Sequence, residues 1–174
     1  DYYIHTEKTF DIDNLPLGVT VKRGEEILTS FSRIKKGEKV TVSFEETEGY
    51  VMSTFEINGV EYNNGGISIT VTEDLNITYT EVDACGLSFE LNYAETGYIV
   101  SYYDGSEPNV VIPSKVYNLP VVELPLSYKS MWDDSSGGPF SENGDKVTSL
   151  TIPGTIKSFN FFYDTVDSPF SNLR

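Results

Sequence analysis

Apolar and polar residues alternate along this chain in short runs, and one such run comes back. Asn109 to Leu124 reads NVVIPSKVYNLPVVEL, and forty positions after its start Ser149 to Phe159 reads SLTIPGTIKSF. In each copy an apolar pair, Val110 with Ile112 and then Leu150 with Ile152, leads into a proline, Pro113 or Pro153. Period-two alternation places each pair on one face of a short strand, and the proline ends the strand because it has no N–H for the ladder. A β-branched residue follows three positions on, Val116 or Ile156, and then an apolar-x-x-apolar step, Val121 to Leu124 or Ile156 to Phe159. The first copy carries five extra residues before that step. A unit this small cannot bury its own apolar face, so it is expected to lie against the next one, as repeat units do. The same residues also fit two separate strands of a sandwich that both end in Ile-Pro.

Residues 1–82 predict a series of short strands. Tyr3 to Phe10 is the first, Asn14 to Gly18 a turn, Val19 to Lys22 a second strand and Ile27 to Phe31 a third. Val40, Val42 and Phe44 share one strand face, and Met52, Phe55 and Ile57 form the next apolar set. Asn58-Gly59 is a two-residue hairpin signal before Val60 and Tyr62. Ile67 to Val71 alternates, Glu73 to Leu75 interrupts, and Ile77 to Thr80 resumes.

Two stretches resemble known families. The repeat of residues 109–159, with YIVSYYDGSEPNVVIPS (Tyr98 to Ser114) ahead of it as a cap strand and hairpin, resembles the BspA-like leucine-rich repeats of bacterial cell-surface proteins over about Leu87 to Arg174. It departs from them in lacking a helix-forming segment after Leu124 and in carrying a polar insert at 126–146. Upstream, KKGEKVTVSFEETEGYVMSTFEINGVEYNN followed by ISITVTEDLNITYTEV resembles the internalin-type B repeats over about Gly18 to Val82. The fold these imply is mainly β: a small all-β domain at 1–82, a linker at 83–86, and at 87–174 a β-rich cap with the opening repeats of a leucine-rich-repeat solenoid. The function they imply is that of a non-enzymatic, secreted or cell-surface adhesion module recognising a host or neighbouring-cell protein. A carbohydrate-binding accessory module and a passive stalk or spacer are the alternatives. The implied location is extracellular, at a bacterial surface.

Composition narrows the partners. The 174 residues carry 27 Asp and Glu against 12 Lys and Arg, a formal charge of −15. Counted by halves, 7 basic and 15 acidic residues fall in 1–82, and 5 and 12 in 83–174. Such a surface repels phosphate backbones and anionic lipid, so nucleic acid is not an expected partner. No run is long and apolar enough for a membrane-spanning helix. Twelve Tyr and ten Phe suit strands.

Catalytic chemistry has few candidates. His5 is the only histidine and Cys85 the only cysteine, so no zinc-ligand spacing exists and no cofactor is expected. Cys85, in DACG, has no neighbouring cation to lower its pKa and reads as a packed thiol. Glu45 and Glu46, adjacent in a strand, point to opposite faces and so do not form a carboxylate pair. Ser141 to Asp145 and Asp11 to Asn14 lack the full spacing of a calcium loop. The remaining candidate is the insert, SYKSMWDDSSGGPFSENGDK, with the sole tryptophan. Tyr128, Trp132, Asp133, Asp134 and Phe140 form a candidate ligand-binding set, with aromatic planes beside acidic groups able to stack on a sugar and bond its hydroxyls. The alternative, which the residue types favour, is that Met131 and Trp132 fold back to cover the apolar end of the repeats.

Overall fold

The computed structural model describes residues 7–125, 138–159 and 172. The protein is mainly β and, among the described residues, has no α-helix. It divides into two compact units, one of Asp1–Thr47 with Met52–Glu81 and one of Glu48–Val51 with Val82–Arg174.

The first unit holds β1 (Thr9–Phe10), β2 (Ile12–Asn14), β3 (Val19–Arg23), β4 (Glu26–Leu28), β5 (Ile34–Lys35), β6 (Lys39–Phe44), β7 (Tyr50–Ile57), β8 (Val60–Glu61), β9 (Ile67–Thr70) and β10 (Leu75–Asp83). The first two residues of β7 and the last two of β10 belong to the second unit. Most of these strands follow the alternation directly: Val19 and Val21, and Val40 and Val42, are buried while their neighbours are not. One antiparallel sheet has the order β4-β3-β6-β9, and a second has β2-β10-β7-β8 with β2 parallel to β10. The sheets pack face to face, since the Phe44 ring of β6 lies 5.0 Å from Phe55 of β7 and 5.1 Å from Tyr79 of β10. Each fully buried side chain the size of Phe55 contributes roughly 1.5–3 kcal/mol. Asn58-Gly59 makes the β7–β8 hairpin with both residues at positive φ, 52° and 76°, the geometry that favours this dipeptide.

The third strand is shorter than the alternation suggests. It ends at Leu28, because the Thr29 and Ser32 side chains take up the backbone N–H groups of Phe31 and Thr29 and fold Thr29 to Ser32 into a turn. Phe31 therefore sits exposed at a loop tip instead of in a strand. Of the Tyr3 to Phe10 stretch, only Thr9–Phe10 is strand among the described residues.

The second unit holds β11 (Leu87–Leu91), β12 (Tyr98–Tyr103), β13 (Asn109–Val111), β14 (Lys115–Val116), β15 (Leu119–Glu123), a single 3-10 turn at Gly144–Lys146, and β16 (Ser149–Thr151). Residues 83–86 comprise the end of β10 and a tight turn. The Asp83 carboxylate accepts the Cys85 N–H, Cys85 and Gly86 take positive φ, and the Cys85 side chain is buried. One sheet has the order β11-β12-β15-β14. Tyr117 and Asn118, both at positive φ, turn β14 into β15, and the Tyr117 ring rests 5.4 Å from that of Tyr98.

The two copies of the repeated pattern lie side by side. β13 and β16 pair in parallel with Asn109 opposite Ser149, Val110 opposite Leu150 and Val111 opposite Thr151, an offset of 40 residues. Further on the offset is 35: Glu123 bridges Ser158 in parallel, the Leu124 N–H donates to the Ser158 carbonyl, and the Lys157 N–H donates to that of Val122. The five residues lost between the two offsets are taken up in the first copy by the β14–β15 hairpin.

Candidate binding surface

Side-chain burial separates the two copies. Val110, Val116 and Val121 are fully buried in the first copy, in a core with Val100, Tyr103 and Phe140, whereas Leu150 and Ile156 of the second are only partly covered. Ile112 is 2% exposed and its counterpart Ile152 is 41%. Leu124 is 0% exposed and Phe159 is 43%. The first copy is covered on one side by β12, through the pairing of Tyr98 with Val121 and Ile99 with Glu123, and on the other by the second copy. Among the described residues, β16 pairs with β13 alone. The opposite face of this strand pair presents Asn109, Val111, Ser149 and Thr151 to solvent, with Val111 and Thr151 adjacent across the ladder.

Of the five insert residues, Tyr128, Trp132, Asp133 and Asp134 lie outside the described residues, as does His5. Phe140 is described, and it is core. Its side chain is fully buried, with its ring 5.1 Å from that of Tyr103, so it presents no face to a ligand in this structure. The segment after it is locked down: the Gly144 N–H donates to the Phe140 carbonyl, the Asn143 side-chain amide donates to the Tyr103 carbonyl, and the Tyr103 hydroxyl donates to the Glu107 carbonyl. Burial, reinforced by the carboxylates of Asp104 and Glu107, pushes the Tyr103 hydroxyl above its ordinary pKa.

Burial likewise raises the Cys85 thiol, with Asp83 adding to the effect, so the group stays protonated where a thiolate nucleophile would be needed. β6 ends at Phe44, so Glu45 and Glu46 follow the strand and do not lie within it, and the Glu46 carboxylate accepts the Met52 N–H. No group of three His, Cys, Asp or Glu side chains among the described residues is placed to hold a metal ion. No helix among them is long and apolar enough to cross a membrane.

Sequence reasoning did not single out two exposed apolar loop tips of the first unit. Leu17, in the turn closed by the Val19 N–H to the Pro16 carbonyl, is 97% exposed, and Phe31 is 95% exposed. Their signal was present but weak: Leu17 follows a proline in a five-residue turn, and Phe31 sits between serines. No protein-family model matches the chain, and no curated protein or solved structure matches it either.

Proposed function

We propose that the chain is a non-enzymatic binding module of a secreted or cell-surface protein, in which a B-repeat-like β domain precedes the cap and first units of a leucine-rich solenoid. The observation that supports it best is the parallel pairing of the two sequence copies in register, with the offset falling from 40 to 35 where the first copy has its extra residues. Unrelated strands of a sandwich have no reason to pair at the spacing of a sequence repeat. Stacked units place equivalent outward residues in rows, and such a row is a surface for a protein ligand. Asn109, Val111, Ser149 and Thr151 form the row here. The ligand in this reading is a protein on a host or neighbouring cell.

The test uses the immobilised chain against purified extracellular-matrix proteins and surface polysaccharides, with Val111→Glu and Trp132→Ala as variants. Saturable binding to a protein, weakened at least tenfold by Val111→Glu in a chain that still folds, supports the reading. Binding only to a polysaccharide, lost with Trp132→Ala, replaces it with a carbohydrate-binding module. No binding by the folded chain leaves the spacer as the better account.

A further inference from the structure

Asparagine precedes glycine at 58–59, 64–65 and 143–144, and the fold treats the three pairs differently. Such a pair is labile, because the backbone nitrogen of the second residue can close on the side-chain carbonyl of the first. Glycine has no side chain to shield that nitrogen or to restrict the bend. We propose that Asn64 is a self-modification site, at which the folded chain converts Asn64 to a mixture of aspartate and isoaspartate and thereby loosens β9 from β6.

The reaction needs only water. The Gly65 amide nitrogen bonds to the Asn64 Cγ, the Cγ–Nδ2 bond breaks, and ammonia leaves with the proton that the Gly65 nitrogen gives up. Water then opens the five-membered succinimide at either of its carbonyls. One opening leaves an ordinary aspartate. The other routes the main chain through Cγ, which lengthens it by a methylene.

Two of the three pairs are held out of this reaction. The Asn58 Oδ1 accepts the Asn76 N–H at 2.7 Å, its Nδ2 donates to Glu73 at 3.2 Å, and both Asn58 and Gly59 are fixed at positive φ in the hairpin. The Asn143 Nδ2 donates to the Tyr103 carbonyl, and the nitrogen that would attack there, that of buried Gly144, donates to the Phe140 carbonyl at 2.8 Å. Asn64 is exposed, and among the described residues neither its side chain nor the Gly65 N–H has a hydrogen-bond partner. Electrophile and nucleophile are both free at this pair.

The surroundings decide what the product does. Tyr62 is tied to the second sheet by its N–H to the Phe55 carbonyl, and Ile67 begins β9 opposite Val42 of the first. Residues 63–66 are the link between these anchors. Gly65 lies against the end of β6, since a Cβ built on it would stand 3.2 Å from the Phe44 nitrogen and 3.5 Å from its ring. A link this short and this close to β6 takes up an extra methylene only by moving an anchor. β9 is the weaker one: among the described residues it pairs with β6 alone, and Ile67 and Ile69 are only half-buried. The aspartate product leaves the chain length unchanged and adds one negative charge to a molecule already at −15.

The test incubates the full chain at mildly alkaline pH, folded and in guanidinium chloride, and follows the three sites by peptide mapping, with electron-transfer fragmentation to separate isoaspartate from aspartate. In the folded chain Asn64 is expected to convert about tenfold or more faster than Asn58 and Asn143, which must first open their hydrogen bonds. Unfolding should bring the three rates together. The aged folded chain should show faster amide hydrogen exchange in β9 with β3 unchanged. Asn64→Gln, which would have to close a six-membered ring, should show neither the modification nor the faster exchange after the same incubation. Equal rates at the three sites of the folded chain, or Asn58 or Asn143 leading, overturn the site. Isoaspartate at Asn64 with β9 exchange unchanged overturns the loosening.

Discussion

Phe140 shows how much a single side chain of the insert matters to stability. Its ring is fully buried against Tyr103, and removing it leaves a cavity that the hydrogen-bonded segment around it cannot close. Phe140→Ala is expected to destabilise the second unit by about 3–5 kcal/mol in urea unfolding. Gly97 is tight for the opposite reason: a Cβ there would stand 2.7 Å from a Val122 methyl and 2.8 Å from the Pro120 carbonyl oxygen. Gly97→Ala should cost about 1–3 kcal/mol by overpacking, measured in the same way. Glu81 supplies a pH dependence. Burial alone would raise its pKa, but hydrogen bonds from the Tyr79 hydroxyl and the Thr47 N–H outweigh it and the net direction is down from 4.5. A carboxylate depressed in the folded state adds stability above its unfolded pKa, and that stability drains away as pH falls through the folded value. Tyr79→Phe removes one donor, so the slope of stability against pH below about 4.5 should become shallower; an unchanged slope in urea melts across that range would show the hydroxyl contributes nothing.

Register decides what can be checked among the strands. Val111 and Thr151 are neighbours across the β13–β16 ladder and both are exposed, so Val111→Cys with Thr151→Cys should form a disulfide on mild oxidation. Val111→Cys with Ser149→Cys, out of register by two, should form far less, with mass spectrometry of the non-reduced digest as the readout. This pairing was legible in the sequence because the two copies share Ile-Pro and the same apolar spacing, and even the five-residue difference between them could be counted. The β14–β15 hairpin that absorbs those residues was not legible. Its turn is Tyr117-Asn118 at positive φ, and tyrosine rarely occupies that region without a tertiary contact such as the Tyr98 ring to hold it there. The β2–β10 pairing was equally hidden, since nothing local to Ile12 and Leu75, 63 residues apart, specifies it. Phe31 was read as strand from its apolar side chain, and the hydroxyls of Thr29 and Ser32 overrode that propensity. For the candidate site, the aromatic content of the insert was visible, but no local rule distinguishes an exposed ring from one that, like Phe140, closes a core.

Across the whole molecule the charge is less even than its division into halves suggests. Seven of the twelve Lys and Arg lie between Lys8 and Lys39, while residues 40–114 contain 13 Asp and Glu and no Lys, Arg or His. Three of these seven cations pair locally among the described residues: Arg23 with Glu26 and Glu38, Arg33 with Asp11, Lys35 with Glu7. The carboxylates of the second region have no cation of that region to answer them. Self-repulsion should therefore outweigh the exposed ion pairs, each worth little in water. The melting temperature is expected to rise as NaCl goes from 10 to about 300 mM, where the Debye length falls below 10 Å; a fall, followed by differential scanning fluorimetry, would mean the pairs of the first unit dominate.

The two units also differ in the order in which they can be completed on the ribosome. The first cannot finish its second sheet until Leu75 has emerged to meet Ile12, so a long stretch must wait with an unpaired strand. The second is built in the order of synthesis: β12 is ready before β15, and β13 is ready before β16 arrives beside it. Each of these strands meets an earlier partner strand as it leaves the tunnel, and the yield of the second unit should depend less on translation speed than that of the first.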